Sequence, residues 1–372
     1  MSLLLVTVSA LSLIPRGGAD SVTASAREAV SDESVSALSR SDVKVSSRIW
    51  ELLFGKGEEE GDKTAKKQTN ICKSVILGGD VFGARIKQSS VTVQDPCQIS
   101  ELKHGDIIVK INDRDISSTT DVKDIIRDSG GAPLKIQYKR GKRLSECTLT
   151  PTERDGQYRL DIEIRDGAAG IGTITYIDPE TGEFGGLGHG ICDQDSGEVI
   201  AISSGTVTGV ILGGVQKGES GKPGELTGIL TDKTLGEVYA NTAVGVFGRL
   251  DSFPISKAKT VELGSKDDVR CGEASIVSTL KNGKKMEYSI EIFDIDKGSE
   301  GTKSFKIKVT DPALLAISAG IVRGMSGSPI IQNGKLIGAV THVMVADPTE
   351  GYGIFIENML NAAEQQTQPK AA

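Results

Sequence analysis

Several residue types are scarce in this sequence of 372 residues, and each shortage narrows the possible functions. Aromatic residues make up 4% of the chain, too few for the stacking surfaces that bind single-stranded nucleic acids. Basic residues do not outnumber acidic ones, and a net charge of −7 gives no reason to expect a nucleic-acid partner. The five cysteines are scattered and odd in number, without a Cys-x-x-Cys pair. The sequence therefore predicts no disulfide framework, no metal site and no cofactor.

Histidine occurs only three times, which makes the search for a general base short. His104 lies in a polar turn and is expected to be a solvated surface residue. His342 lies on an alternating strand, where packing is the favoured interpretation and lining a substrate cleft the alternative. His189 lies in a Gly-Gly-Leu-Gly-His-Gly run, whose glycines let other segments approach the ring. We therefore predict that His189 is the catalytic base.

A serine flanked by glycines supplies a matching nucleophile. Residues 324–329 read Gly-Met-Ser-Gly-Ser-Pro, and a β-branched pair follows. Gly324 can adopt backbone angles that direct the N–H groups of Gly324 and Ser326 into one small space. Two such donors form an oxyanion hole, which stabilises negative charge on a scissile carbonyl. The turn resembles the nucleophile turn of chymotrypsin-type serine proteases, although an ordinary glycine-serine turn between strands is the alternative.

The acid that would orient the base is harder to select, because the chain has 50 Asp and Glu residues. Asp311 ends a strand-like run, and it gives the order His, Asp, Ser along the chain. Asp193 and Asp195 are closer to His189 in sequence but fall in a loop. Cys192 is disfavoured as a nucleophile because no oxyanion turn surrounds it. The order of residues along the chain favours Asp311 as the acid, with Asp193 as the alternative.

Several motifs together resemble the SpoIVB peptidase family, the stage IV sporulation protein B of endospore-forming bacteria. They are Gly188-His189-Gly190, Thr310-Asp311-Pro312, the nucleophile turn, Gly-Ala-Val-Thr-His-Val over residues 338–343 and the segment 347–354. The match extends over residues 70 to 365. The resemblance implies a mostly β chain, with a PDZ domain followed by a chymotrypsin-like double β-barrel. It also implies His189 as base, Asp311 as orienting acid and Ser326 as nucleophile.

The same resemblance implies a biological setting. Peptidases of this family are exported by the forespore into the space between the forespore and mother-cell membranes. They cleave themselves, and they cleave a regulatory subunit of a membrane-embedded protease complex that then activates a late sporulation sigma factor. Protein or peptide substrates, a membrane-bound regulatory protein and the chain's own N-terminal segment are therefore the expected partners.

Residues 71–152 are predicted to form the PDZ domain. A Gly-Asp turn leads into an alternating strand, a helix follows from Thr120, and a hairpin closes the unit. Phe82, Gly83 and Ala84 match the loop that receives a peptide carboxylate. PDZ domains bind peptides as an added strand on a sheet edge. A packing module that binds no free peptide is the alternative.

The remaining segments complete the predicted organisation. Residues 153–366 contain short β-branched runs separated by turn residues, which favours a barrel or a sandwich over an alternating α/β fold, and residues 367–372 are predicted to form a tail. Residues 1–70 are predicted to be a leader with a signal- or anchor-like segment, whose apolar stretch from Leu3 to Ile14 has the length of a signal-peptide core and is shorter than a membrane span. Two other functions stay open: a PDZ adaptor with an inactive barrel, and an HtrA-like quality-control protease. The latter carries its PDZ domain after the protease, not before it.

Overall fold

The computed structural model describes residues 74–96, 101–193, 197–251, 260–281 and 283–367. The predicted leader over residues 1–70 and the tail from residue 368 lie outside the described residues. No helix in the described part of the chain is long and apolar enough to cross a membrane.

Strands dominate the described part of the chain, and three helices interrupt them there. The first ten elements are β1 (Ser74–Leu77), β2 (Val81–Asp95), β3 (Ile107–Ile111), β4 (Arg114–Asp115), α1 (Thr119–Asp128), β5 (Leu134–Arg140), β6 (Arg143–Leu149), β7 (Thr152–Arg154), β8 (Gln157–Arg159) and β9 (Glu163–Ile177). The next are β10 (Glu183–Gly186), β11 (Ser204–Gln216), β12 (Glu225–Thr242), β13 (Gly245–Leu250) and β14 (Thr260–Leu263). The last are β15 (Gly272–Lys281), β16 (Lys284–Ile295), β17 (Phe305–Val309), α2 (Pro312–Ser318), β18 (Pro329–Gln332), β19 (Lys335–Val343), β20 (Glu350–Phe355) and α3 (Ile356–Thr367).

The first barrel closes through antiparallel pairs in the order β2, β9, β10, β13, β12, β11 and back to β2. Its interior is filled by side chains that alternate along these strands, as the two-residue period of a strand requires. Phe82 and Phe184 meet edge to face at its centre, with ring centroids 5.5 Å apart.

The second barrel closes in the order β15, β16, β17, β20, β19, β18 and back to β15. Its core is the largest apolar cluster of the described chain and includes Phe305 and Phe355, with ring centroids 5.4 Å apart. The predicted mostly β, double-barrel architecture is confirmed.

Two short strands and the last helix join the barrels. β1 pairs with β9 of the first barrel and with β14, which in turn runs parallel to β19 of the second. Ile356 and Met359 of α3 are fully buried against residues of both barrels. A shared apolar layer therefore holds the two barrels together.

A separate apolar core defines the PDZ domain. It contains residues of the end of β2, of β3, of β5 and of α1, among them Val91, Ile108, Ile125 and Ile136. Ser118 caps α1 in a capping box with Asp121, which supplies partners for N–H groups at the helix start. The predicted strand, helix and hairpin are all present.

The placement of the PDZ domain corrects the predicted boundaries. β1 and the first half of β2 belong to the barrel system, because Val81 to Lys87 pair with β9 on one side and Gly83 to Lys87 pair with β11 on the other. The PDZ domain is thus inserted between the first two strands of the first barrel. β2 leads into it and β9 leads out, and the two strands also pair beside it.

The same pairing corrects the predicted carboxylate loop. Gly83 lies opposite Ile171 on one side and Thr208 on the other, so its backbone edges are both used. Phe82 and Ala84 are each 1% exposed. Phe82, Gly83 and Ala84 are therefore barrel core residues and do not receive a peptide. The strand beside α1 is instead the start of β9, where the backbone N–H and hydroxyl of Thr119 donate to Asp166.

Candidate active site

The nucleophile turn is a backbone structure that requires glycine at two positions. Gly324 and Gly327 have φ angles of +95° and +92°, which β-carbon residues rarely adopt. At Gly327 a Cβ would also lie 2.0 Å from the carbonyl oxygen of Thr173. Ser326 thus sits between two residues whose conformation only glycine adopts without strain.

Two N–H groups of this turn are left without an acceptor. Met325 N donates to Val322 O at 3.1 Å, Gly327 N to Val340 O at 2.7 Å and Ser328 N to Met325 O at 2.9 Å. The N–H groups of Gly324 and Ser326 donate to nothing among the residues that the structure describes. They are the pair that the sequence predicts for an oxyanion hole, and the turn leaves both available to a ligand.

The Ser326 hydroxyl points to the second barrel. Its Oγ donates to the carbonyl oxygen of Thr341 on β19 at 2.8 Å. The next residue on that strand is His342, whose ring centroid lies 5.1 Å from that of His189. These contacts bring the serine turn and both rings to one cleft, with His189 supplied by the loop after β10. For catalysis the hydroxyl must rotate from Thr341 to an imidazole nitrogen.

His189 has the protonation pattern of a general base. Its Nδ1 lies 2.9 Å from the carbonyl oxygen of Gly190. Because a carbonyl can only accept, Nδ1 carries the proton and Nε2 holds the lone pair. Burial lowers the pKa of His189 below its usual value, and the bond to Gly190 opposes that shift in part. The ring is therefore neutral at pH 7, as proton abstraction requires.

His342 was favoured as a packed strand residue, but the structure places its ring against His189. Burial, followed by the proximity of His189 and of Lys303, lowers the pKa of His342 to about 4. Its Nδ1 is buried without a hydrogen-bond partner in the described part of the chain. The signal available in the sequence was its position on β19, the second strand after the nucleophile turn. His104, in contrast, is exposed on the PDZ domain as predicted.

Asp311 lies at the start of α2, where its carboxylate caps the helix. It accepts from Ala313 N at 2.8 Å, Leu314 N at 3.1 Å and Ser289 N at 3.2 Å. Burial alone raises the pKa of Asp311, but these backbone hydrogen bonds outweigh it and hold the pKa below its usual value. Among the described residues no carboxylate is hydrogen-bonded to His189. The orienting role that the resemblance implies for Asp311 stays a prediction.

The remaining candidates for the acid and the nucleophile are Asp193, Asp195 and Cys192. Asp193 forms an ion pair with Arg165 of β9 at 2.7 Å. Asp195 lies outside the described residues. Desolvation and then the charge of Asp193 raise the pKa of the Cys192 thiol, which disfavours the reactive thiolate. Within the described ranges no three His, Cys, Asp or Glu side chains are grouped to hold a metal ion.

Two substitutions separate the capping role of Asp311 from an orienting role. A residue that only caps α2 would keep proteolytic activity in Asp311→Asn within about threefold of the parent, because asparagine caps helices about as well as aspartate. Asp311→Ala should lower the free energy of unfolding by about 1 kcal/mol. An orienting acid would behave differently, since its amide variant loses about four powers of ten in rate. Such a loss in a folded Asp311→Asn protein, measured on one peptide substrate, would assign Asp311 to the catalytic triad.

Two barrels, a PDZ domain, a serine in a glycine turn and a neutral histidine define a chymotrypsin-like serine peptidase. The family model of SpoIVB peptidase S55 matches residues 156–360, more than half of the chain, and a PDZ domain model matches residues 64–150. The chain therefore belongs to the SpoIVB peptidase family, and it is a serine peptidase of the sporulation type.

Solved structures of one bacterial protease are similar to this chain. The Rv3671c protease of M. tuberculosis in its active form is 14% identical, and the match covers 55% of this chain and 77% of that one, with a TM-score of 0.32. An inactive form of Rv3671c is 12% identical, with 53% and 85% of the two chains covered and a TM-score of 0.33. No curated protein matches the chain.

Proposed function

We propose that this peptidase is exported, removes its own leader and then cleaves a regulatory subunit of a membrane-embedded protease complex, which activates a late sporulation sigma factor. The proposed place of action is the space between the forespore and mother-cell membranes, with or without a membrane tether through the N-terminus. Ser326 is the proposed nucleophile and His189 the proposed base. The observation that carries the proposal is the pair of N–H groups at Gly324 and Ser326, which have no acceptor among the described residues beside a neutral imidazole.

The chemistry follows from this geometry. A substrate carbonyl whose oxygen accepts from Gly324 N and Ser326 N becomes more electrophilic. Nε2 of His189 takes the hydroxyl proton as Ser326 Oγ attacks the carbonyl carbon, and it then gives the proton to the leaving amine. The acyl-enzyme is released when water is activated by the same nitrogen.

Leader removal is compatible with the fold. β1 starts at Ser74 and pairs with both β9 and β14, so a cut before this strand leaves the barrel pairing intact. A cut within β1 would remove a strand that joins the two barrels. The leader is rich in Ser, Glu and Lys, a composition that is typical of protease-sensitive sites.

An HtrA-like quality-control role is less consistent with the domain order, since here the PDZ domain lies between the first two strands of the first barrel. In the proposed function the PDZ domain binds an extended peptide, either the chain's own leader or a segment of the membrane-bound partner.

We expect purified parental protein to acquire a new N-terminus between residues 15 and 73 on incubation. Ser326→Ala should keep its original N-terminus, because it lacks the nucleophile. N-terminal sequencing over a time course measures both. Added parental enzyme that trims Ser326→Ala would show that the cut occurs between molecules. A fully active parental protein whose single N-terminus never changes would contradict the proposed self-cleavage.

A further inference from the structure

Thr173 is a fully buried polar residue on β9, with 0% of its surface exposed. It makes two hydrogen bonds to the nucleophile turn. Its hydroxyl donates to the carbonyl oxygen of Gly324 at 2.9 Å, and its N–H donates to the carbonyl oxygen of Ser326 at 2.9 Å. Both acceptors belong to the residues whose N–H groups form the proposed oxyanion hole.

The same residue also contacts the loop of the base. The carbonyl oxygen of Thr173 accepts from Leu187 N at 3.1 Å, just before Gly188 and His189. The N–H and hydroxyl of Thr173 thus bind the segment of the proposed nucleophile, and its carbonyl oxygen binds the segment of the proposed base. Its position on a paired strand of the first barrel keeps it from moving with either loop.

The turn needs such external bonds. Gly324 and Gly327 have positive φ angles, and glycine reaches several backbone conformations at little cost, so the turn itself does not select one of them. A bond to the Gly324 carbonyl fixes the rotation of the peptide that follows Gly324. Thr175, on the same face of β9, donates from its hydroxyl to the Gly327 carbonyl at 2.7 Å and fixes the other side of the turn.

We propose that Thr173 is a positioning residue: its hydroxyl and backbone fix the peptides that follow Gly324 and Ser326, and this restricts the backbone torsions that direct the N–H groups of these two residues toward the substrate oxygen. The inference rests on the proposed function of Ser326. Thr173 itself does not touch the substrate carbonyl. Loss of its hydroxyl leaves the Gly324 carbonyl buried without its side-chain partner, which favours rotation of the adjacent peptide.

Replacement by valine tests the proposal, because valine keeps the shape of threonine and removes the hydroxyl. We expect Thr173→Val to lower kcat on a peptide substrate by about 10- to 100-fold with KM within about threefold, somewhat less than loss of an oxyanion donor itself. Labelling of Ser326 by a fluorophosphonate should slow by a similar factor. Thr173→Ser restores the hydroxyl and should recover kcat to within about threefold of the parent.

Thr279→Val is the matched control. Thr279 is buried in the second barrel, and its hydroxyl donates at 2.8 Å to the carbonyl of Gly79, outside the nucleophile turn. Thermal melting should show a similar loss of stability in both valine variants, whereas kcat should fall only for Thr173→Val. If Thr173→Val does not fold, Thr173→Ala is compared with Thr279→Ala in the same assays.

Two results would overturn the inference, and they differ from each other. If the fluorophosphonate labels the parental enzyme, and a Thr173 variant has the same kcat as its Thr279 control, the positioning role alone is rejected. Parental enzyme that the fluorophosphonate does not label at Ser326 would reject the proposed function, and the positioning role with it.

Discussion

Ser326→Ala is expected to abolish proteolysis while the fold is retained. The substitution removes the hydroxyl oxygen, and the only described hydrogen bond of that oxygen is to the Thr341 carbonyl. The turn itself is held by backbone atoms and by Thr173 and Thr175, which the change leaves in place. Loss of a serine nucleophile costs about six powers of ten in kcat in a well-studied protease. The rate of cleavage of a peptide substrate measures the effect, with circular dichroism as the test of folding.

Ser328→Ala provides the control for this substitution within the same turn. Ser328 is fully buried, and its hydroxyl bonds to that of Ser278 at 3.1 Å, so the change removes a hydroxyl but not the nucleophile. We expect its activity to stay within about threefold of the parent, with some loss of stability. A Ser326→Ala protein that cleaves substrate as fast as Ser328→Ala would remove Ser326 from the mechanism.

His189→Gln should have the second largest effect, a loss of at least about three powers of ten in kcat. Glutamine is similar in size but has no basic nitrogen that can take the proton of Ser326. His104→Gln is the matched control, because His104 is exposed on the PDZ domain and outside the cleft. Equal activity of the two variants would show that another group is the base.

The pH profile of the parent gives a further test of His189. The base works in its neutral form, and burial lowers the pKa of His189. The midpoint of the acid limb of kcat/KM, where activity is half lost, should therefore lie below the usual histidine value of about 6.5. A limb centred above pH 7 would require a base whose charged form is stabilised, which is the opposite of what burial does here.

The candidate nucleophile and base could be selected from sequence because their signals are local. Gly324, Ser326 and Gly327 are contiguous, and glycines flank His189, so composition alone marks two unusual backbone segments. The two-residue period of the strands and the turn residues between them were likewise enough for the mostly β class. The PDZ strand, helix and hairpin could be predicted from the sequence for the same reason.

Other features depend on which strands pair, and no local pattern specifies that. Phe82, Gly83 and Ala84 have the composition of a PDZ loop, yet pairing with β9 and β11 buries them in a barrel. Asp311 has a sequence position suited to an acid, yet the nearest N–H groups in space are those of Ser289 and α2. His342 is one of many alternating strand residues until the closure of the second barrel sets its ring beside His189.

The sequence by itself thus determined the chemistry that the chain can carry: a serine in a glycine turn, a histidine flanked by glycines and a mostly β fold built from short strands. Only the tertiary structure decided the directions of the N–H groups and side chains. It inserted the PDZ domain between two barrel strands, and it placed Thr173 where one residue bonds to both catalytic segments. The physical reason is that glycine freedom and strand period are properties of neighbouring residues, whereas the direction of an N–H group or a ring is set by hydrogen bonds between segments far apart in the chain.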